Sequence, residues 1–305
     1  MTIPQVDDGD ASTRPTVLGA ATRVDPKTGV REIAEFFGSG AERLFGLIHL
    51  PPDQAEGVLV VCSPLYAEFT RNYRREVLIG RQLAGRGIAV QRFHYRGTGN
   101  SDGDPDALMI DSMIEDAALS AQQVIGVAGV KRVAFFGTRM GALVAAAVAR
   151  EFEGSPLALW DPVVDASDYF REIFRAHRLH ALRRGEPNQE PGDGIIQKLE
   201  TAGRVDVLGY TITHGLYASA RDRSLQQEAG DSSRPVLVME LGADRARQRV
   251  LEPLIAKWRR SGFTIDRRAV RQREPWWFTS GALVADETLA APVDETASWV
   301  QTALA

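Results

Sequence analysis

Residues Arg132 to Arg150 read Arg-Val-Ala-Phe-Phe-Gly-Thr-Arg-Met-Gly-Ala-Leu-Val-Ala-Ala-Ala-Val-Ala-Arg, and this run decides the fold. Val133 to Phe136 is a short apolar and aromatic stretch, which suits a strand buried on both faces. Ala142 to Ala149 follows with small residues and no breaker, as expected of a helix packed closely on that strand. Between them, Gly137-Thr138-Arg139-Met140-Gly141 is a sharp strand-to-helix turn whose glycines stand two residues either side of Arg139. Glycines are expected there because the apex residue is strained and the neighbouring backbones crowd it.

This frame resembles the nucleophile elbow, Gly-x-Ser-x-Gly, of the α/β-hydrolases. Those enzymes carry a serine at the apex, then an acid, then a histidine, in that chain order. Here the apex is Arg139. An acid stands where expected, at Asp244, just after the apolar run Val236 to Leu241. The histidine should lie beyond the last strand, around residues 271–281, and that region contains none. The five histidines, His49, His94, His177, His180 and His214, all precede Asp244. An arginine stays protonated and cannot replace the missing base.

Outward from the elbow, the chain alternates strand and helix. Glu35 to Gly38 and Leu44 to Leu50 read as a hairpin around Ser39-Gly40-Ala41, and Val58 to Val61 as a buried strand ending at Cys62-Ser63-Pro64. A helix is expected from about Tyr73 to Ala84, stopped by Gly85 and Gly87. Ile88 to Tyr95 returns as a strand, and Asp111 is placed to cap a helix to about Ile125. Leu157 to Trp160, Pro235 to Leu241 and Thr264 to Val270 complete the strands. Helices are expected at Arg245 to Arg260 and Glu295 to Leu304. This is the pattern of an α/β protein with a doubly wound, mostly parallel sheet. Residues 1–30 are expected to form a mobile N-terminal arm, 31–162 and 234–305 the core, and 163–233 an inserted helical lid.

Several further motifs, in one order, resemble those of the exosortase-A-system-associated hydrolase (type 2) lineage. Its Pro-Pro-Phe-Ala-Glu-Glu loop and paired arginines are matched by Pro64-Leu65-Tyr66-Ala67-Glu68 and Arg74-Arg75. Its Gly-x-Arg-x-Gly elbow is matched by Gly137 to Gly141, and its Trp-x-Pro-Val-Val stretch by Trp160 to Val164. Val205 to Tyr210 matches Val-x-Val-x-Gly-Tyr, and Pro275-Trp276-Trp277 echoes Pro-Phe-Trp. The resemblance spans roughly Glu35 to the C-terminus. It implies the α/β-hydrolase fold and leaves the reaction open.

The 305 residues carry a formal net charge of −4, with 44% hydrophobic and 25% charged residues, so neither nucleic acid nor a membrane surface is an expected partner. No apolar run approaches the roughly 20 residues of a membrane span. One cysteine, Cys62, excludes an internal disulfide and a Cys-based zinc site. No cofactor or metal is expected, the location is expected to be cytoplasmic, and a homodimer is compatible with the chain. Arg139 and Asp244 are the candidate catalytic pair. Leu65, Glu68, Met140, Asp161, His214, Trp276 and Trp277 are the candidate binding residues, with the Met140 backbone N–H and one near Leu65 as oxyanion donors. Arg139 reads equally as an anion site at a helix N-terminus or as a plug paired with Asp161, Asp244 or Glu68; a ligand anion is the expected partner.

Cys62 reads first as an apolar strand-end residue and second as a nucleophile. The functional expectation is binding, or non-hydrolytic conversion, of a small carboxylate- or acyl-bearing molecule. The alternatives are an ester or thioester hydrolase or acyltransferase with an unconventional nucleophile, and a non-catalytic interaction protein. Whether the protein is an enzyme is left open. Arg139→Ser alone is expected not to create an esterase, because no histidine is placed to take the serine proton. Turnover of p-nitrophenyl esters checks this, and a fast single variant would show that a histidine such as His214 reaches the elbow.

Overall fold

The run around Val58 shows how the chain builds two cores. Along β4 (Gly57–Cys62), Val58, Val60 and Cys62 point to one face and Leu59 and Val61 to the other, and every one of these side chains is buried. A strand apolar on both faces must sit inside a sheet covered by helices on both sides. The structure, a computed structural model, describes residues 20–38, 42–183, 192–230, 233–242, 245–270 and 286–305.

In chain order the elements before the elbow are β1 (Ala21–Val24), β2 (Arg31–Phe37), β3 (Leu44–Leu50), β4, α1 (Tyr66–Ala84), β5 (Ile88–Phe93) and α2 (Ile110–Ala128). The elbow joins β6 (Val133–Thr138) to α3 (Gly141–Val148), and β7 (Leu157–Trp160) follows. The insert comprises α4 (Ala166–Arg183), α5 (Gly192–Ala202), β8 (Arg204–Val207), β9 (Tyr210–Thr213), α6 (His214–Ala220) and α7 (Leu225–Ala229). The chain then returns through β10 (Pro235–Leu241), α8 (Arg245–Arg260), β11 (Thr264–Val270) and α9 (Asp286–Leu304).

The main sheet runs β1-β2-β3-β5-β4-β6-β7-β10-β11. The strands from β5 to β11 are parallel, and β1, β2 and β3 join antiparallel at one edge. Helices α1 and α9 cover one face, where Ile79, Leu83, Val293, Ala297 and Val300 meet Leu59, Phe136 and Trp160. The Trp160 indole N–H donates to the Thr296 hydroxyl at 2.9 Å there. On the other face α2, α3, α4 and α8 bury Met113, Leu143, Phe170 and Trp258 against Val60, Phe135, Leu157 and Val238. β8 and β9 form a separate two-stranded antiparallel sheet within the insert.

Several expectations change, among them the last helix, expected from Glu295 and found from Asp286. Ala21–Val24 is not part of an arm but pairs antiparallel with β2. Helix α1 begins at Tyr66, seven residues before the expected start at Tyr73, because the face it buries is polar in its first half: Glu68, Asn72, Arg75 and Glu76 precede Ile79 and Leu83. Helix α2 starts at Ile110; its first turn is held by the Ser112 hydroxyl, which accepts the Met109 N–H, while Asp111 pairs with Arg223.

The two elbow glycines are sterically required. A Cβ on Gly141 would stand 2.1 Å from the Cys62 carbonyl oxygen, and one on Gly137 would stand 2.5 Å from the Gly141 carbonyl oxygen. Both obstacles are backbone, so a side chain would push α3 away from β4. Gly126, exposed in α2, has nothing within 4 Å of such a Cβ. Gly141→Ala is therefore expected to cost about 3 kcal/mol, whereas Gly126→Ala should gain about 0.5–1 kcal/mol through helix propensity; chemical denaturation of both variants checks the contrast.

Candidate functional site

Backbone strain marks one end of the sheet. Beyond glycine, four described residues have φ in the left-handed region: Tyr66 (56°), Arg139 (53°), Asp161 (42°) and Leu208 (54°). Arg139 and Asp161 directly follow the C-terminal ends of β6 and β7, and Tyr66 follows the end of β4 by four residues. These three strands are neighbours in the order β4-β6-β7. Ligand sites of open parallel sheets lie beyond the C-terminal strand ends, and strain of this kind concentrates at such sites. Leu208 belongs to the β8–β9 turn, which reaches the same region from the insert.

Arg139 occupies the elbow apex and is only 4% exposed. Its Nε donates to Glu68 Oε1 at 3.1 Å and its Nη2 to Glu172 Oε2 at 2.6 Å. Its guanidinium carbon lies 5.8 Å from the centre of the Tyr169 ring. Burial opposes the arginine charge, but Glu68 and Glu172 outweigh it and hold the guanidinium above its ordinary pKa. Glu68 sits in the first turn of α1, where the helix dipole favours a carboxylate. Glu172 comes from α4, so the ion cluster ties the elbow, the first core helix and the insert together.

Behind this cluster lies a second buried polar group. Glu76 Oε2 accepts the Ser63 hydroxyl at 2.9 Å, and Glu76 Oε1 accepts from Asn72 Nδ2 at 2.9 Å. Asn72 Nδ2 also reaches the Thr138 hydroxyl at 3.3 Å, and Arg92 Nε lies 3.9 Å from Glu76. Burial raises the Glu76 carboxyl, against the lowering effect of Arg92 and of its two donors. Asp161 is fully buried, and its Oδ1 accepts the Leu241 N–H at 3.1 Å. Burial lowers Arg75 to about 10, and the nearby Asp161 charge works in the opposite direction.

Two cavities open above the strand ends. The larger, about 780 Å³, is bounded by the start of α1, one face of α4 and the β8–β9 hairpin. Leu65, Tyr66, Glu68, Tyr169, Glu172 and His177 are among its walls. The smaller, about 410 Å³, shares Leu65, Tyr66, Gly209 and Tyr210 with it and is otherwise walled by Ser63, Phe69, Phe93, His94, Tyr95 and Leu108 among others. The Tyr66 and Tyr210 rings, 5.6 Å apart, stand where the two spaces meet. His94 accepts the Asn100 N–H on Nδ1 and is depressed to about 4, by burial first and by Arg92 next, so it is neutral near pH 7 and a weak base.

Several expected positions are corrected. Arg139, expected to meet a ligand anion, is absent from the walls of both cavities and pairs with Glu68 and Glu172. Asp161 accepts the Leu241 N–H and lines neither cavity. Met140 is fully buried and lines neither cavity, and His214 is exposed at the start of α6. Leu65 and Glu68 do line the larger cavity. Asp244, Trp276 and Trp277 lie outside the described residues. Cys62 is fully buried, and its thiol is raised by burial, which leaves it a poor nucleophile. Glu172, Tyr66 and Tyr169 were not singled out beforehand. Tyr169 and Glu172 are three residues apart on α4, a helical spacing that places them on one face, but nothing local tells that face from a core stripe.

Among the described residues, no group of three or more His, Cys, Asp or Glu is placed to hold a metal, and no helix is long and apolar enough to cross a membrane. No family model and no curated protein matches the chain. Solved structures do. The chain is similar to Est1E of Butyrivibrio proteoclasticus, solved with ferulic acid bound, at 14% identity and a TM-score of 0.62 over 89% of this chain and 99% of that one. It is also similar to a proline iminopeptidase-related protein of Thermus thermophilus, at 18% identity and 0.56 over 90% and 98%. A serine hydrolase without a lid from Xanthomonas campestris gives 18% and 0.51 over 92% and 96%. At these identities the likeness shows the fold, which is that of the α/β-hydrolases.

Arg139→Ala would remove the charge that Arg139 supplies to the buried Glu68. A loss of about 3–5 kcal/mol is expected, with no recovery on adding phosphate. Arg139→Ala with Glu68→Gln should recover part of it. Thermal and urea melts of the three proteins check this; an Arg139→Ala protein as stable as wild type would show that the cluster is not the arginine's support.

Proposed function

We propose that the protein binds a small uncharged acyl compound in the larger cavity without hydrolysing it. The observation that carries this reading is the Glu68–Arg139–Glu172 cluster, whose two carboxylates line a cavity of about 780 Å³. A serine elbow offers a nucleophile at this point; here the position holds a cation consumed by two carboxylates. A carboxylate ligand would meet Glu68 and Glu172 before the arginine, so of the two ligand types expected from sequence the neutral acyl compound is favoured. The cavity lies within the size range of small-molecule sites. The smaller, mostly apolar cavity across Tyr66 and Tyr210 has room for an acyl or aromatic tail, with Phe69, Phe93 and Leu108 as its contacts. In this reading residues 163–233 act as the lid, since α4 and the β8–β9 hairpin wall the cavity. The ordered motifs from Pro64 to Trp277 support placing the chain with the exosortase-A-system-associated hydrolase lineage, in the cytoplasm.

A second reading, an ester or thioester hydrolase with an unconventional nucleophile, has one observation in its favour. The Ser63 hydroxyl, on the wall of the smaller cavity, donates to the buried Glu76 carboxylate at 2.9 Å. Two measurements separate the readings. Turnover of p-nitrophenyl butyrate should stay near the uncatalysed rate; about 1 s⁻¹ or more, abolished by Ser63→Ala, selects the hydrolase. Ligand-observed NMR should show ethyl hexanoate bound at least about tenfold more tightly than hexanoate, one like-charge repulsion of about 1.4 kcal/mol. Tighter hexanoate binding refutes the neutral-ligand reading.

A further inference from the structure

Tyr66 and Tyr169 carry polar atoms that the described residues leave unanswered. Both hydroxyl oxygens are buried, and neither has a hydrogen-bond partner among the described residues. Tyr169 is only 2% exposed. Buried hydroxyls are nearly always paired, so two orphans on the wall of one cavity ask for a partner from outside the chain. They come from different elements, Tyr66 from the first residue of α1 and Tyr169 from α4, and both line the larger cavity. Tyr66 reaches it from a backbone held at φ 56°, a conformation that is costly for a tyrosine and persists only where the surroundings enforce it.

The chemistry of the partner follows from the charges around the pair. Burial, and next to it the Glu68 and Tyr66 neighbours, hold the Tyr169 hydroxyl protonated, and burial does the same for Tyr66. Both phenols can therefore donate. Glu68 Oε1 and Glu172 Oε2 are engaged by Arg139 and make the surroundings unfavourable for an anion. What two phenol donors on the wall of one cavity recognise in such a place is an uncharged oxygen with two lone pairs. We propose that Tyr66 and Tyr169 anchor the ligand by donating a pair of hydrogen bonds to one carbonyl oxygen of an ester, thioester or amide bound in the larger cavity. This rests on the acyl-binding reading above and specifies how the acyl group is held.

The test compares wild type with Tyr66→Phe and Tyr169→Phe, using ethyl hexanoate, N-ethylhexanamide and the carbonyl-free ethyl hexyl ether as probes. Titrations are followed by saturation-transfer NMR, and the ligand-free melting temperature of each protein is recorded. Wild type should bind the ester and the amide and discriminate against the ether. Each phenylalanine variant should weaken ester binding about fivefold to tenfold while its ligand-free melting temperature is unchanged or raised, because no internal bond is lost. Equal binding of ester and ether overturns the carbonyl anchor alone and leaves acyl binding standing. So does undiminished ester binding by both variants, or a lowered melting temperature that reveals an internal partner. Failure of wild type to bind any of the three probes overturns the acyl-binding reading itself, and the anchor with it.

Discussion

A guanidinium buried at a helix N-terminus between two carboxylates is the interaction around which this end of the molecule is arranged. The helix dipole disfavours an unpaired cation at the start of α3, and removing the arginine from water costs several kcal/mol more. Both costs are offset only if anions are delivered to it, and they are delivered by two separate elements. Helix α1 must begin early enough to bring Glu68 over the elbow, and α4 must lie across the sheet end to bring Glu172. A buried cluster of this kind is weak evidence for net stability against an apolar alternative. In the observed placement of the insert Glu172 reaches the arginine, and a displaced insert would take that carboxylate away.

The architecture was legible because the strands announce themselves. Val58 to Val61, Leu157 to Trp160 and Pro235 to Leu241 are mostly apolar or β-branched runs bounded by glycines or loops, and they lie where the reading placed them. The elbow glycines were legible for a steric reason that the Cβ distances at Gly137 and Gly141 bear out. The first turns of α1 were not legible, since Glu68, Asn72, Arg75 and Glu76 look like a solvated face and are in fact buried. Hydrophobic periodicity detects apolar burial only; a buried polar network defeats it. Within the site, the sequence pointed to Arg139, Leu65 and Glu68. It missed Glu172, because the pairing spans 33 residues and depends on how the insert folds back. That same long-range contact brings Arg139 a protein carboxylate where the sequence reading expected a ligand anion.

Strain adds a second layer to this arrangement. Three consecutive sheet positions, the ends of β4, β6 and β7, each lead into a left-handed non-glycine residue. At the middle one the serine hydrolase frame normally uses this conformation to thrust a nucleophile forward. Here the same backbone holds an arginine, and cross-strand bonds fix it: Arg139 N–H donates to the Trp160 carbonyl at 3.1 Å, and Asp161 N–H to the Met239 carbonyl at 2.9 Å. The strained backbone here presents an arginine, and the cavity above it is bounded by phenols and carboxylates.

The single thiol of the chain has a use unrelated to any ligand. Cys62 closes β4 in the middle of the sheet, fully buried, with its carbonyl oxygen pressed against the elbow glycine and its thiol pushed up by burial. In the closed protein neither access nor ionisation favours reaction with an alkylating reagent. Modification therefore has to wait for the strand to come away from its neighbours, an event drawn from the high end of the opening energies within a domain. With no second cysteine to confuse the signal, the alkylation rate becomes a clock for the opening of the central sheet. The native sequence thus carries a built-in reporter of its own core.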